Sequence, residues 1–172
     1  LAERVRHVVG LEVTPAMLEV AQRNMTRKNI SFVLYSGLSL PFKEGKFDGL
    51  VCVGVLQDIY KKSDFEQLID AFAKCLKPAG KVYLIEWVKR SPKSLRKTPQ
   101  DFLRTFERCG FECVRHYPIR GGRWPVLYLI RYGFIPKAIL PLLARFELFF
   151  RKFNLGPNLY YKDFLFEFKK IK

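Results

Sequence analysis

Hydrophobic and polar positions change period several times along the chain. Residues 7–13, His-Val-Val-Gly-Leu-Glu-Val, are a short apolar run closing on an acid, the pattern of a buried parallel strand. Thr14-Pro15 follows as an N-cap with proline at the first helical position, and Met17, Leu18, Ala21 and Met25 recur at helical spacing to about residue 27. Residues 30–35 predict a second strand, and Leu40-Pro41-Phe42 with Lys43-Glu44-Gly45-Lys46 a turn. Residues 47–54 predict a third strand, nearly all apolar after Asp48. Ser63 is placed to cap a helix with Phe65, Leu68, Ile69, Phe72 and Leu76 on one face, ended by Lys77-Pro78-Ala79-Gly80. A fourth strand is predicted at 81–88, and a helix from Thr98-Pro99 to Cys109-Gly110. Strands at 111–117 and 163–171 follow, the last alternating with period two through Phe164, Phe166 and Phe168. Strands and helices alternating at this spacing predict an open α/β sheet of the Rossmann-like kind, mostly parallel, with its last strand antiparallel.

Composition adds two constraints. With 49% hydrophobic and 27% charged residues the chain can build a core, which excludes a disordered tail, a collagen-like repeat or a mucin-like stalk. The net charge of +15 is uneven: residues 1–86 hold 12 basic and 10 acidic side chains, residues 87–172 hold 19 and 6. The second half therefore reads as a surface that meets something anionic. Lys89, Arg90, Lys93, Arg96 and Lys97 form one dense run, for which a solvated loop is the plain explanation. Residues 120–158 are apolar, aromatic and studded with Arg131, Lys137, Arg145, Arg151 and Lys152, charges that break the stretch below a membrane span of ~18 apolar residues. A helical lid over the sheet edge and an interfacial membrane helix explain that segment equally well. Domain organisation follows as a core at 1–118, an insertion or lid at 119–159, and the core's final strand at 160–172. The four cysteines, Cys52, Cys75, Cys109 and Cys113, are too few and scattered for a disulfide framework, and they fit reduced thiols in a cytoplasmic protein.

In an open α/β sheet, ligands bind beyond the carboxyl ends of the strands. Glu12 closes the first strand, where an acid can accept both hydroxyls of a ribose or partner the N-terminus of the next helix. By itself the residue leaves the two roles open.

Four blocks in order carry more information. Val8-Val9-Gly10-Leu11-Glu12-Val13-Thr14-Pro15-Ala16-Met17-Leu18, Ser39-Leu40-Pro41-Phe42, Phe47-Asp48-Gly49-Leu50-Val51 and Leu76-Lys77-Pro78-Ala79-Gly80-Lys81 together resemble the class I S-adenosylmethionine-dependent methyltransferases, nearest to the small-molecule and lipid-quinone group. The likeness covers about residues 5–118 and, more faintly, the last strand. It implies that Glu12 holds the ribose hydroxyls of S-adenosylmethionine, with Val13 and Met17 on the adenine. Ser36, Gly37 and Leu38 stand where the group usually has an acid contacting the adenine amine, so that contact is weakened or passes to a backbone group. Cys52, Val53 and Gly54 would lie beside the methionine part, and Gln57 and Asp58 would face the substrate where the group often has histidines. Lys77-Pro78-Ala79-Gly80 replaces Lys-Pro-Gly-Gly, a conservative change in a turn.

The resemblance also implies a central strand and a glycine-rich loop before residue 1, since no G-x-G-x-G occurs in this chain. It therefore reads the chain as a domain incomplete at its N-terminus. Either an apolar slot or direct pairing is expected between the strands at 7–13 and 47–54. Methyl transfer asks the protein for alignment, desolvation and sometimes a base. Candidate bases or orienting groups are Asp58, Tyr60 and Glu86, with His116 and Tyr117 also near strand ends; Glu86 can equally be a paired core acid, and His116 a partly exposed strand residue. The expected acceptor is small and hydrophobic or membrane-associated, with peripheral contact to an anionic membrane. Two rivals remain: a nicotinamide-dependent oxidoreductase, which explains Glu12 but not the later blocks, and a non-catalytic basic adaptor for membrane or RNA.

Overall fold

The computed structural model describes residues 2–89, 97–121, 129–143, 145–146 and 161–171. The main elements among the described residues follow in the order β1 (Val8–Glu12), α1 (Pro15–Arg23), β2 (Ile30–Leu34), β3 (Phe47–Val53), α2 (Lys62–Cys75), β4 (Leu76–Lys89), α3 (Pro99–Arg108), β5 (Phe111–Gly121) and β6 (Tyr161–Lys170). A 3-10 turn, Leu56–Asp58, follows β3, and a second, Lys137–Ile139, lies in the insertion. Arg90, Lys93, Arg96 and Trp124, and with them much of the 119–159 insertion, lie outside the described residues; residues 129–131 and 140–143 of that insertion are helical.

The strands form two sheets. β1 and β2 pair in parallel, and the second sheet has the order β3-β4-β6-β5, with β3 parallel to β4 and β6 antiparallel to both neighbours. This is the expected Rossmann-like α/β arrangement. β1 and β3 belong to separate sheets. Asp48, at the start of β3, has its carboxyl lowered by Lys77 and also by Arg6 before β1, and Tyr35, beyond the end of β2, feels Cys52 near the end of β3. No ladder joins β1 to β3, so of the two expected outcomes the strands stay apart.

The core lies on one face of the larger sheet, under α2 and α3. Burying that face drives the packing, because apolar area removed from water contributes about 25 cal/mol per Å². Phe166 and Phe168 of β6 stack on Phe102 and Phe106 of α3 with ring centroids 5.2 and 4.0 Å apart, as the period-two pattern requires. Thr98 caps α3 through a complete capping box with Asp101. Lys170 of β6 closes the other helix of this layer, donating to the carbonyls of Ala73 (2.6 Å) and Leu76 (2.8 Å) at the end of α2. On the opposite face Glu167 accepts from Lys81 Nζ at 2.9 Å and Arg115 Nε at 2.6 Å, and Lys81 foremost holds its carboxyl below the usual range. α1 buries no residue, so the β1–α1–β2 unit stands outside the core.

Three local expectations change. α2 begins at Lys62 behind Lys61, which makes no side-chain cap, so Ser63 lies inside the helix. α1 ends at Arg23, short of residue 27, where Asn24 closes it. Lys77-Pro78-Ala79-Gly80 is no separate turn. It is a bulge within β4, since Leu76 pairs with Phe47 and Lys81 with Gly49. Ala79 is held there at φ 60°, a left-handed conformation its Cβ resists, so the change from glycine is not conservative.

Candidate functional site

The site is built on the carboxyl ends of β1 and β3, as sheet geometry demands. At β1, Glu12 Oε1 accepts from the backbone N–H of Val13 at 2.8 Å and of Thr14 at 2.9 Å. The carboxylate thereby does work at the start of α1 that the Thr14 side chain does not do, since Thr14 makes no cap hydrogen bond. Both sequence roles are thus compatible: one oxygen supports the helix entry, while Oε2 has no partner among the described residues. Beside it stand two large apolar side chains in water, Val13 at 51% and Met17 at 56% exposure, an arrangement that favours an apolar ligand face. Gly37 adjoins this wall; a Cβ there would lie 3.8 Å from Val13 Cγ1, and its φ of 100° suits glycine. Leu38 is half-buried next to it. Ser36 spends its hydroxyl across the turn on Ser39, Oγ to Oγ 3.1 Å.

Tyr35 links the two walls. Its backbone N–H donates to Glu12 O at 3.0 Å, and burial, then Cys52 and Glu12, push its phenol above the ordinary value of 10.0. Sequence reading passed over it, although a polar aromatic just beyond the second strand was its visible signal.

At the end of β3, Cys52 donates its thiol to Glu86 Oε1 at 3.6 Å. Burial, then the Glu86 charge, raises its pKa far above the ordinary thiol range, so it stays protonated and is no nucleophile at neutral pH. Val53 is exposed, and Gly54 takes φ 66° to turn the chain out of the strand. Glu86, fully buried on β4, accepts from the N–H groups of Val55 (3.1 Å) and Leu56 (3.1 Å) on Oε1, and from Gln57 (3.0 Å) on Oε2. Both oxygens are spent, so the geometry supports the core-acid alternative: Glu86 shapes the loop instead of facing a ligand. Gln57 is buried too, its Oε1 accepting from Trp87 N at 2.9 Å. Asp58 and Tyr60 are exposed, as is the apolar Val55; Gln57 Nε2 donates to Asp58 Oδ2 at 3.3 Å. His116 and Tyr117 lie on β5, at the far edge of the sheet from β3, and His116 contacts Cys113 (3.7 Å) and the Phe166 ring. The fold does not bring them to the Glu12–Cys52 cluster.

Comparisons with known proteins bear on this arrangement. Residues 1–84 match the family described as a methyltransferase domain. The demethylmenaquinone methyltransferase of Lactococcus lactis subsp. lactis is 33% identical over 82 residues, covering 46% of this chain and 31% of that protein. The chain spans about a third of the length of the curated relatives it matches. Among solved structures, the N-methyltransferase NodS of Bradyrhizobium japonicum aligns over 100% of this chain and 78% of its own with a TM-score of 0.67 at 15% identity. The [4+2]-cyclase SpnF aligns over 98% and 69% with a TM-score of 0.68 at 18% identity. Those two likenesses concern the fold, which hosts a cyclase as readily as a methyltransferase. Residues 1–84 are thus similar in sequence to a methyltransferase domain, and the chain shares the fold of S-adenosylmethionine-dependent methyltransferases.

Proposed function

We propose, with that domain as the premise, that the protein moves the methyl group of S-adenosylmethionine to a small hydrophobic acceptor. In this reading Glu12, Val13, Met17 and Gly37 hold the adenosine end, and the loop after β3 faces the acceptor. The observation that carries it is that Glu12 Oε2, without a partner among the described residues, stands with two exposed apolar side chains at one strand end. A diol can donate to such a carboxylate while a flat heterocycle covers Val13 and Met17, so the residues present fit the nucleoside. Ser36 gives the adenine amine no carboxylate, which leaves backbone groups near Gly37 as its acceptors. Cys52, Val53 and Gly54 would flank the amino-acid end.

The cofactor, when bound, supplies an already electrophilic methyl group. The chain's own share is alignment and exclusion of water, with Asp58 or Tyr60 able to take a proton from the acceptor. Three facts favour a lipophilic acceptor: quinone methyltransferases among the relatives, the +13 balance of residues 87–172, and the exposure of Tyr132 (70%) and Phe134 (74%) in the insertion. Together they also favour peripheral contact with an anionic membrane face, where such an acceptor resides.

Calorimetry with S-adenosylhomocysteine on the natural full-length protein and its Glu12→Ala form tests the reading. Loss of a charge-assisted pair of hydrogen bonds predicts binding weaker by at least about 100-fold. Equal affinity in the two proteins would refute the assignment of Glu12 and the site with it.

A further inference from the structure

The geometry points to Lys97 as a positioning residue that holds the 55–59 loop so that Asp58 and Tyr60 face the acceptor; this deepens the methyl-transfer reading and rests on it. The loop's peptide groups are claimed from two sides. Glu86 takes the N–H groups of Val55, Leu56 and Gln57. Lys97 Nζ donates to the carbonyl of Leu56 at 3.0 Å and to that of Ile59, reaching 41 and 38 residues back along the sequence. A carboxylate at the N–H side and an ammonium at the C=O side both align with the peptide dipoles between them. The same ammonium lies 4.4 Å from the Phe65 ring centroid, which ties the first turn of α2 to the clamp.

Lys97 is itself well aimed. It directly precedes Thr98, whose capping box fixes the backbone from which the side chain extends. No carboxylate among the described residues bonds to it, and burial lowers its pKa against the opposing charges of Glu86, Asp101 and Asp58, so the folded protein bears a desolvation cost that an apolar side chain would avoid. That cost is offset by a loop with few remaining freedoms. Leu56 and Gln57 are buried, Gln57 is also bonded to Trp87, and Asp58 and Tyr60 are the polar side chains that project from the turn into water, beside the apolar Val55. A base or orienting group on a loop works only when held within a fraction of an ångström, which side chains packed behind it must provide.

The test compares wild type, Lys97→Met and Lys97→Arg in the full-length protein. Three readouts are needed: S-adenosylhomocysteine affinity, methyl transfer to demethylmenaquinone, and hydrogen exchange at the amides of Val55, Leu56 and Gln57. The methionine form keeps cofactor affinity within about two-fold while kcat/KM for the acceptor falls at least about ten-fold and the three amides exchange at least about ten-fold faster, the size of one charge-assisted bond. The arginine form, which can still donate to both carbonyls, recovers most of the loss. Acceptor kinetics within about two-fold of wild type in Lys97→Met, or no recovery with arginine, would overturn the inference. So would a loss of cofactor affinity as large as the loss in kcat/KM. A wild type that binds no S-adenosylhomocysteine refutes the methyltransferase reading instead, and one that binds it but leaves demethylmenaquinone unmethylated refutes the acceptor. In either case exchange at the three amides decides Lys97: unchanged rates in the methionine form remove the clamp.

Discussion

Replacing Glu86 with alanine strips three backbone N–H groups and one thiol of their common acceptor. Hydrogen bonds to a charged group contribute about 1.5–3 kcal/mol each, so the three amides represent roughly 4.5–9 kcal/mol. The change also ends the several kcal/mol of desolvation that a buried carboxylate imposes. Glu86 bears that cost in full, for it is 0% exposed and burial holds its carboxyl above the ordinary 4.5. The balance is a loss of about 3 kcal/mol, near the low end for breaking a buried charged contact. For a chain of this size that means a melting temperature lower by about 6–12 °C, read by circular dichroism on heating. The pH dependence has a definite sign. With the folded value raised, the stability tied to this carboxyl is complete below pH 4.5 and is lost as pH rises through the folded value. The Glu86→Gln protein cannot ionise, so its melting temperature should gain on wild type as pH rises above 4.5. Melting of Glu86→Ala within about 2 °C of wild type would show that the loop does not depend on the carboxylate. If methyl transfer vanished at the same time, Glu86 would have to act on the reacting atoms.

Further outcomes concern the β4 bulge and the basic second half. Ala79→Gly relieves a left-handed alanine at φ 60°, worth about 1–2 kcal/mol, against about 0.5–1 kcal/mol of added unfolded-chain entropy, so denaturant titration should find the variant more stable by about 0.5–1 kcal/mol. The neighbouring Gly80→Ala should do the reverse, because its Cβ would meet Lys77 O at 2.9 Å; a destabilised Ala79→Gly would disprove the bulge geometry. If residues 87–172 meet an anionic lipid face, the protein should float with phosphatidylserine vesicles at low salt and release at about 0.5 M salt, and Phe134→Ser should weaken that binding about ten-fold. Equal flotation with neutral vesicles, or none with either, would count against membrane contact.

Much of the architecture was legible because local chemistry and tertiary demand agree. Thr98-Pro99 announces α3, and the capping box forms there. Phe164, Phe166 and Phe168 announce a strand with one buried face, and the last two are buried. Glu12 was legible as an acid closing the first strand, and it does partner the entry to α1. Where local signals misled, a distant partner had supplied the missing interaction. The end of α2 is satisfied by Lys170, 94 residues beyond Leu76, so no turn is needed before β4 and Lys77-Pro78-Ala79-Gly80 folds into the strand as a bulge.

The order of residues by itself determined the alternation of strands and helices, the apolar stripe of each helix, and the acid closing β1, because those depend on neighbours within a few positions. Tertiary structure alone decided what the buried charges do. Glu86 and Lys97 lie 11 positions apart in sequence, on either side of a loop some 30 to 40 residues upstream, and each is bonded to backbone atoms whose identity no side-chain pattern records. Peptide groups are alike at every position, so a carboxylate that grips them leaves no trace in composition or period, and its role emerges only once the chain has brought the loop back over β4.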